Sequence, residues 1–339
     1  MKGLKWYDKL MFFANSVAAV LLLLSYLLPF VSPSKFTLLS VLSLGVPILI
    51  IINILFLVYW LLKVKRQLLL SFIVLLLGYS YVFSLYKFTS SKKIEDSGNF
   101  KVMNYNVRLF NLYDWLPNEN VASDIKQFVD TTQPDVLCIQ EYKNHEDFSL
   151  PDYYKHEELT DAGLKVGQVI YSKFPIVDAG SVDFKDTANN AIYVDIKKGS
   201  DTLRVYNIHL QSSKINPEVE ELQKESSEHL FNKVEETFLT QEMQVKQFLA
   251  HKAKCTYKTV ISGDLNNTAY SYIYSQLKGE AVDAFDEAGN GFGKTYNLKF
   301  FPLRIDFIFA DPSISVNGFK TYSDTKLSDH FPIEATLKI

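Results

Sequence analysis

The distribution of apolar residues divides the chain into two unlike parts. Three stretches without an internal charged residue occupy the N-terminal quarter, at about residues 10–31, 38–62 and 68–86. Each approaches or exceeds the roughly 20 residues that a helix needs to cross a bilayer core, and a helix satisfies its own backbone groups there. A cleaved signal peptide explains the first stretch poorly, because its apolar run is long and two more follow. The pattern predicts three transmembrane helices in a membrane unit of residues 1–88.

The flanking charges predict how this unit is oriented. Basic residues lie before the first stretch and between the second and third, and such clusters stay cytoplasmic; they are Lys2, Lys5, Lys9, Lys63, Lys65 and Arg66. An odd number of spans then puts the rest of the chain outside. Lys87, Lys92 and Lys93 argue the other way, offset partly by two neighbouring acids. We expect a multi-pass protein of a bacterial-type inner membrane with its C-terminal domain on the extracytoplasmic side.

The apolar stretches contain no Asp, Glu, Lys, Arg or His, the residues that mark a transport path. Their function is therefore predicted to be anchorage. Asn15 and Asn53 are their strongly polar side chains, which helix–helix hydrogen bonds explain. A polar linker at residues 89–98 follows.

From residue 99 to 339, short apolar or β-branched runs alternate with turn residues, which predicts strands. The expected strands are 101–107, 135–140, 167–171, 176–183, 191–197, 202–209, 259–262, 304–309, 315–322 and 333–339, and the expected helices are 120–131, 217–254 and 270–277. So many strands with few helices between them indicate two packed sheets with helices outside rather than a doubly wound parallel sheet. The predicted class is α+β or mixed α/β.

Charge and cysteine content narrow the possible functions. Residues up to Asp96 hold 10 basic and 3 acidic side chains, and the rest hold 25 basic and 35 acidic, a net charge near −10. An acidic domain repels polyanions unless a local basic groove or a bound cation overrides it, which weighs modestly against a nucleic-acid enzyme. Cys138 lies in an apolar run and Cys255 is the second cysteine, so no disulfide framework is indicated.

Polar side chains recur where apolar strands end. Asn106, Glu141 and His209 each end a strand, Asp264 and Asn266 follow another, Asp306 lies within a fifth segment, and Asp329 and His330 precede the last strand. Alone, each has an ordinary explanation as a turn, a cap or a solvated pair. Together, acids, amides and imidazoles gathered at one sheet edge are the set that hard-metal phosphoryl chemistry requires.

The order of these motifs resembles the endonuclease/exonuclease/phosphatase superfamily over essentially all of residues 100–339. The motifs are the Asn106 strand end, 134–141 (PDVLCIQE), 171–176 (YSKFPI), 207–210 (NIHL), 263–266 (GDLN), 304–308 (RIDFI) and 328–332 (SDHFP). The resemblance implies a four-layer α/β/β/α sandwich with its site at one edge of the sheets. It also implies a metal-dependent hydrolase of phosphate esters.

The resemblance also implies roles for individual residues. Glu141 is then the principal ligand of Mg²⁺, or alternatively Mn²⁺, supported by Asn106, and Asp329 is a further candidate ligand. Asp264 positions or deprotonates the attacking water, and Asn266 hydrogen-bonds the phosphate or that water.

Two imidazoles complete the implied set. His330 contacts a non-bridging phosphate oxygen, with Asp306 holding its tautomer. His209 binds phosphate or protonates the leaving group. Arg108 stands where some relatives carry an acid, so a second metal there is doubtful; a phosphate contact and a surface salt bridge are equally good explanations of this arginine.

The substrate stays open at this stage. A phosphodiesterase acting on lipid head groups or other small phosphoesters, a membrane-tethered nuclease acting on DNA or RNA, and a catalytically silent binding domain are the alternatives. The third is least favoured because a binding domain has no chemical need for these acids, imidazoles and amides together. The membrane segments favour a substrate near a surface. No motif indicates an obligate protein partner.

Overall fold

A computed structural model describes residues 4–88, 92–160, 164–185, 187, 189–215, 226–298 and 301–339. The chain begins with a helical unit. Its helices are α1 (Trp6–Ser25), α2 (Thr37–Val41), α3 (Val46–Leu62), α4 (Leu68–Leu77) and α5 (Tyr79–Leu85), with 3-10 turns at Leu28–Phe30 and Leu42–Gly45.

Two helical stretches in this unit are long and apolar enough to cross a membrane, Trp6–Phe30 and Thr37–Leu62. The expected third span is not a regular helix, because α4 and α5 meet at Gly78 with a bend of 82°. A Cβ on Gly78 would lie 2.0 Å from Cζ of Tyr26, whose hydroxyl donates to the carbonyl of Val74 at 3.0 Å. Three regular helices were predicted, but the described residues contain two regular helices that could span a membrane, followed by a broken helix pair that could form a third span.

Polar contacts fix the helices as an antiparallel bundle. The Tyr59 hydroxyl near the end of α3 donates to Asp8 near the start of α1 at 2.8 Å, and Lys63 pairs with the same carboxylate. Deeper in the bundle, Asn53 donates to the carbonyl of Ala18 at 3.1 Å. The end of α3 therefore lies beside the start of α1, while the 26–36 connection lies at the opposite end.

The helix–helix hydrogen bonds expected for the two asparagines are confirmed. Asn15 donates to the Ser71 hydroxyl of α4 at 3.0 Å, in addition to the Asn53 bond. Burying these amides is tolerated because each finds a partner inside the bundle.

Twelve strands follow within the described residues and form two six-stranded sheets. The first sheet has the order β11-β12-β1-β2-β4-β3 and the second has the order β5-β6-β7-β8-β10-β9. The strands are β1 (Phe100–Asn106), β2 (Val136–Lys143), β3 (Tyr154–Leu159), β4 (Val166–Ser172), β5 (Ile176–Asp183), β6 (Asn190–Lys198), β7 (Asp201–His209), β8 (Lys258–Asp264), β9 (Val282–Asp283), β10 (Asp306–Ala310), β11 (Ser315–Thr321) and β12 (Ile333–Lys338).

The sheets pack face to face and helices cover their outer faces. One apolar cluster fills the space between the sheets, with Val102 and Cys138 from the first and Val194 and Val260 from the second. The further helices are α6 (Val121–Thr132), α7 (Ser227–Lys252), α8 (Tyr272–Lys278) and α9 (Ala284–Ala288). Helix α6 packs on the first sheet, and α7 and α8 pack on the second.

This arrangement confirms the predicted two-sheet α+β fold, and Cys138, in its apolar run, is buried. Strands β3 and β9 and helix α9 were not predicted. The expected helix at 217–254 is described from Ser227 to Lys252, and residues 217–225 of that prediction lie outside the described residues.

The helical unit contacts the sandwich through its loop end. The Ser32 hydroxyl and the Ser34 backbone amide donate to the Glu242 carboxylate of α7, each at 2.7 Å. At a second contact, the ring of Tyr81 stacks on Tyr270. After the undescribed residues 89–91, the backbone amides of Lys92 and Ile94 bond to carbonyls of the sandwich. The described residues at 92–98, assigned to a linker from the sequence, therefore follow the surface of the sandwich.

Candidate active site

Strand direction gathers the polar strand ends at one edge of the two sheets. Strands β1 and β2 run parallel, as do β7 and β8, so their C-terminal ends lie together in each sheet. Strand β10 is antiparallel to β8, and its first residue, Asp306, pairs with Asp264. His209 pairs with Asp264 from the other side. Residues from distant parts of the chain thus meet at this edge.

A β-bulge directs Glu141 into the site. The pairing of β2 with β4 shifts between Ile139 and Tyr142, leaving one extra residue on β2. Glu141 there has a φ of +48°, a conformation that is uncommon for residues other than glycine. Bulges beside active sites redirect side chains in this way, and backbone strain often persists at functional positions.

The amide of Asn106 lies between two carboxylates. Its Nδ2 donates to Oε1 of Glu141 at 3.2 Å and to Oδ2 of Asp264 at 3.1 Å. Burial raises the pKa of Glu141, against the opposing charge of His330 and the Asn106 hydrogen bond. Burial likewise raises the pKa of Asp264 to about 6. The edge therefore concentrates carboxylates whose charges are poorly solvated.

The ring of His330 lies between the carboxylates of Asp306 and Asp264. Its Nδ1 is 2.9 Å from Oδ2 of Asp306, and its Nε2 is 3.7 Å from Oδ2 of Asp264. Burial favours the neutral ring, but the two negative charges outweigh burial and raise the pKa of His330 to about 10. The buried imidazole is therefore charged at neutral pH.

His209 has a different environment at the same edge. Its Nε2 is buried, has no hydrogen-bond partner among the described residues and lies 3.9 Å from Oδ2 of Asp264. Burial lowers the pKa of His209. The two histidines thus differ in charge, and this one offers an unsatisfied ring nitrogen.

Asn266 and Asp329 complete the set. The backbone amide of Asn266 donates to Oδ1 of Asp264 at 2.8 Å, and its side chain donates to the carbonyl of Leu210 at 3.0 Å. Asp329 is 3.2 Å from Nη1 of Arg108, whose guanidinium stacks on the ring of Trp115 at 4.0 Å. All eight residues singled out from the sequence therefore lie at one edge. Of the two roles considered for Arg108, a phosphate contact and a salt bridge, the structure shows the salt bridge, with Asp329 as its partner.

Comparison with known proteins decides the family. The model of the endonuclease/exonuclease/phosphatase family matches residues 103–330. The chain belongs to this family. A second family model, described as a domain of unknown function, matches residues 8–85 of the helical unit. No curated protein matches the chain.

Solved structures with this fold include other members of the family. A family protein from Bacteroides vulgatus has 18% identity and a TM-score of 0.55, covering 71% of this chain and 99% of that one. A mannosyl-6-phosphatase from Bacteroides thetaiotaomicron has 19% identity and a TM-score of 0.53, covering 71% and 100%. The human Nocturnin catalytic domain, solved with a bound sulfate anion, has 14% identity and a TM-score of 0.53, covering 71% and 93%. At these identities the likeness establishes the fold alone.

The family depends on a divalent metal ion, and the donors at this edge fit such an ion. Glu141 and Asp329 offer carboxylate oxygens, which suit Mg²⁺ and Mn²⁺, while Oδ1 of Asn106 accepts from the backbone amide of Arg108 at 3.0 Å. Asp264, Asp306 and His330 also lie close enough together to share a cation. In that second group, however, both ring nitrogens of His330 already face carboxylates. A cation there would compete with the charged imidazole for both carboxylates.

Several residues that support the site were not singled out from the sequence. Asn104 donates to Oδ1 of Asp306 at 3.2 Å and accepts from Gln140 and Ser262. Gln140 in turn donates to Asn207, whose amide donates to the carbonyls of Ile139 and Val169 in the other sheet. This network of buried amides ties the two sheets together behind the carboxylates. Polar residues inside otherwise apolar strands were its one visible sign in the sequence.

The loop before β10 also contributes to the site. The Thr295 hydroxyl accepts from the backbone amides of Ile305 and Asp306, at 3.0 and 3.1 Å. The ring of Tyr296 meets His330 edge-on, with centroids 5.0 Å apart. No sequence signal distinguished this loop, because its pairing with His330 depends on tertiary structure.

Proposed function

We propose that the protein is a membrane-anchored, divalent-metal-dependent hydrolase that cleaves phosphate esters with an activated water. The observation that carries this proposal is the position of His330. It lies between Asp306 and Asp264, beside the Glu141 carboxylate and the Asn106 amide that donates to it. A charged imidazole beside a cation site suits a phosphate group, whose negative charge increases at the oxygens during attack.

The metal has a defined part in this proposal. Glu141, Asn106 and Asp329 would hold Mg²⁺ or Mn²⁺, and such an ion neutralises phosphate charge as a Lewis acid. The nearby Asn266 amides support Asp264, which orients the attacking water and accepts its proton. The water oxygen forms a new bond to phosphorus, the bond from phosphorus to the leaving oxygen breaks, and the leaving oxygen takes a proton from solvent while Asp264 returns its proton to solvent.

The two histidines divide the remaining roles. His330, held by Asp306, donates to a non-bridging phosphate oxygen and stabilises developing charge. The lowered pKa of His209 keeps its ring neutral near pH 7. A neutral ring is a good hydrogen-bond partner and a poor proton donor, so we assign His209 to phosphate binding rather than to leaving-group protonation.

Two relatives support phosphate as the reacting group. The mannosyl-6-phosphatase is named for a phosphate ester substrate, and the Nocturnin domain binds sulfate. Sulfate is a tetrahedral oxyanion of the same size class as phosphate. Neither relative identifies the ester that this chain cleaves.

The membrane part of the proposal rests on the helical bundle. The cationic residues Lys63, Lys65 and Arg66 follow α3, at the end of the bundle remote from the Ser32–Glu242 contact. A helix of 17 residues separates the two ends by roughly 25 Å. With the basic end in the cytoplasm, the sandwich lies on the extracytoplasmic side of the membrane. Lys2 belongs to the basic cluster but is not among the residues that the structure describes. Alkaline phosphatase fused after Ile339 should be active in a bacterial host, and an inactive fusion would contradict this orientation.

A substrate panel tests the activity. The full-length protein, purified in detergent, is incubated with bis-p-nitrophenyl phosphate, DNA, RNA and a dispersed phospholipid, each with Mg²⁺ or Mn²⁺. Hydrolysis of at least one phosphate ester, lost in His330→Ala, is the expected result. Hydrolysis of DNA or RNA alone would favour the nuclease alternative. Absence of hydrolysis on every substrate would favour a binding domain and contradict the proposal.

A further inference from the structure

One cavity joins the candidate active site to an apolar wall. It has a volume of about 290 Å³. Glu141, Asn266, Asp329 and His330 line one part of it, and the apolar side chains Leu44, Ile215, Val234, Phe238, Leu298 and Leu303 line another. Hydroxyl and amide side chains line the remainder, namely Ser212, Ser213, Thr237, Asn267 and Thr268. A group bound at the catalytic edge thus continues into a cavity with an apolar wall on one side.

Helix α7 connects this wall to the helical unit. Val234, Phe238 and Glu242 are spaced four residues apart and lie on one helix face. Glu242 binds the Ser32–Ser34 connection between α1 and α2. Phe238 and Val234 line the cavity one and two turns earlier. The apolar wall therefore begins beside the point where the helical unit docks.

The helical unit also supplies a side chain to the cavity. Leu44, from the 3-10 turn that precedes α3, is one of the lining residues. Its neighbours Leu38 and Leu42 are 60% and 53% exposed. The apolar surface of the cavity therefore continues onto the surface of the helices that we place in the membrane.

The charges of the described lining residues disfavour a nucleic acid as the occupant of the cavity. None of the described residues that line the cavity is Lys or Arg, and the domain as a whole carries excess negative charge. A nucleic acid that extended away from the catalytic edge through this cavity would meet no cation among these lining residues to neutralise its further phosphates. An alkyl chain needs no such partner and gains free energy by leaving water.

We propose that the substrate is an amphiphilic phosphoester, a lipid whose phosphate reaches His330 and Glu141 while an apolar chain lies in this cavity. The inference rests on the proposed function and specifies its substrate. The chain lies against Val234 and Phe238, and Leu44 marks its route from the membrane. The helical unit is thus part of the substrate site as well as an anchor.

Two chromogenic phosphodiesters with the same scissile bond test this inference. The full-length protein, reconstituted in lipid nanodiscs, is assayed with p-nitrophenyl methyl phosphate and p-nitrophenyl dodecyl phosphate. The dodecyl ester also concentrates in the bilayer, so chain-length preference alone is not decisive. Val234→Asn changes the cavity wall, and Val177→Asn makes the same change on an exposed residue of β5 that does not line the cavity.

The expected result is selective. Val234→Asn lowers kcat/KM for the dodecyl ester by about fivefold or more, because part of the chain then meets an amide instead of an apolar group. The methyl ester rate stays within about twofold of wild type, which also shows that the variant folds, and Val177→Asn leaves both rates unchanged. Equal losses on both esters, or no loss on either, would overturn the inference.

A binding measurement separates this inference from the proposed function. Dodecyl phosphate and methyl phosphate are titrated into the same nanodiscs, and the unfolding temperature is followed. Stabilisation by dodecyl phosphate that is lost in Val234→Asn, but kept in Val177→Asn, supports the cavity even if neither ester is hydrolysed. If dodecyl phosphate binds in this way but neither ester is hydrolysed, the hydrolase proposal is contradicted while the cavity inference is supported. Stabilisation that is the same in all three proteins contradicts the cavity inference, whatever the hydrolysis assay gives.

Discussion

The Nδ1 atom of His330 lies 2.9 Å from Oδ2 of Asp306, the first residue of β10. This contact fixes the ring orientation and leaves Nε2 on the side of Asp264. Because Asp306 is buried and itself bonded by Asn104, it is positioned before any substrate arrives. We therefore regard Asp306 as a positioning residue for the imidazole that contacts phosphate.

Asp306→Asn should lower kcat by about 10²–10⁴-fold, because the ring loses the negative charge that holds its tautomer and its proton. KM should change much less. Steady-state kinetics on bis-p-nitrophenyl phosphate provides the measurement, with exposed Asp152→Asn as the matched control. Unchanged kcat in Asp306→Asn would show that His330 is held in some other way.

Glu141→Gln should weaken metal binding. Replacing the principal carboxylate by an amide keeps the shape and removes the charge, so the concentration of Mn²⁺ needed for half-saturation should rise by about tenfold or more. Electron paramagnetic resonance of free Mn²⁺ measures this directly and independently of turnover. The exposed Glu146→Gln is the control. Equal Mn²⁺ affinity in both variants would show that Glu141 is not a ligand of the metal ion.

Asn207→Ala should destabilise the sandwich. The side chain accepts from Gln140 and donates to two carbonyls of the facing sheet, and removing it leaves these groups buried without partners. We expect a loss of about 2–4 kcal/mol in the free energy of unfolding. Urea unfolding of the full chain, followed by the near-UV signal, gives this value. A loss below about 1 kcal/mol would mean that water replaces the amide.

Glu242 predicts a pH dependence of the docking between helical unit and sandwich. Burial tends to raise its pKa, but hydrogen bonds from Lys246, Ser32 and Ser34 prevail and lower it below 4.5. A carboxyl group with a lowered folded pKa stabilises the protein above its unfolded pKa and loses that effect as pH falls through the folded value. The stabilisation should therefore be complete at pH 7 and decline below about pH 4.5.

Comparison of wild type with Glu242→Gln measures this effect. The difference between their unfolding temperatures should be greatest near pH 7 and should shrink as the pH falls towards 3. Glu146→Gln, exposed on the surface, should show no such trend. A difference in unfolding temperature that stays constant across this pH range would show that the charge of Glu242 does not stabilise the contact.

The sequence predicted the members of the candidate site because strand ends are local features. Asn106, His209 and Asp264 each follow an apolar run, and such runs indicate strands wherever they occur. The family motifs then supplied their order. What the pattern left open was the distance between them, which depends on the parallel pairing of β1 with β2 and of β7 with β8.

Features that depend on tertiary contacts were not predictable. The bulge at Glu141 is visible only in its pairing with β4, and the Asn104–Gln140–Asn207 network requires the two sheets to face each other. The bend at Gly78 breaks a helix that was predicted to be regular. A single glycine in an apolar run is compatible with a straight helix, and the close approach of the Tyr26 ring is what distinguishes the bent form.

The most direct test of the account is hydrolysis of bis-p-nitrophenyl phosphate by the full-length protein before and after chelation. We predict release of p-nitrophenol with Mg²⁺, loss of activity in excess EDTA, recovery when Mg²⁺ or Mn²⁺ is restored, and a fall of at least about 10²-fold in His330→Ala. Hydrolysis that survives metal removal, or that His330→Ala leaves unchanged, would contradict the assignment of this edge as a metal-dependent phosphoesterase site.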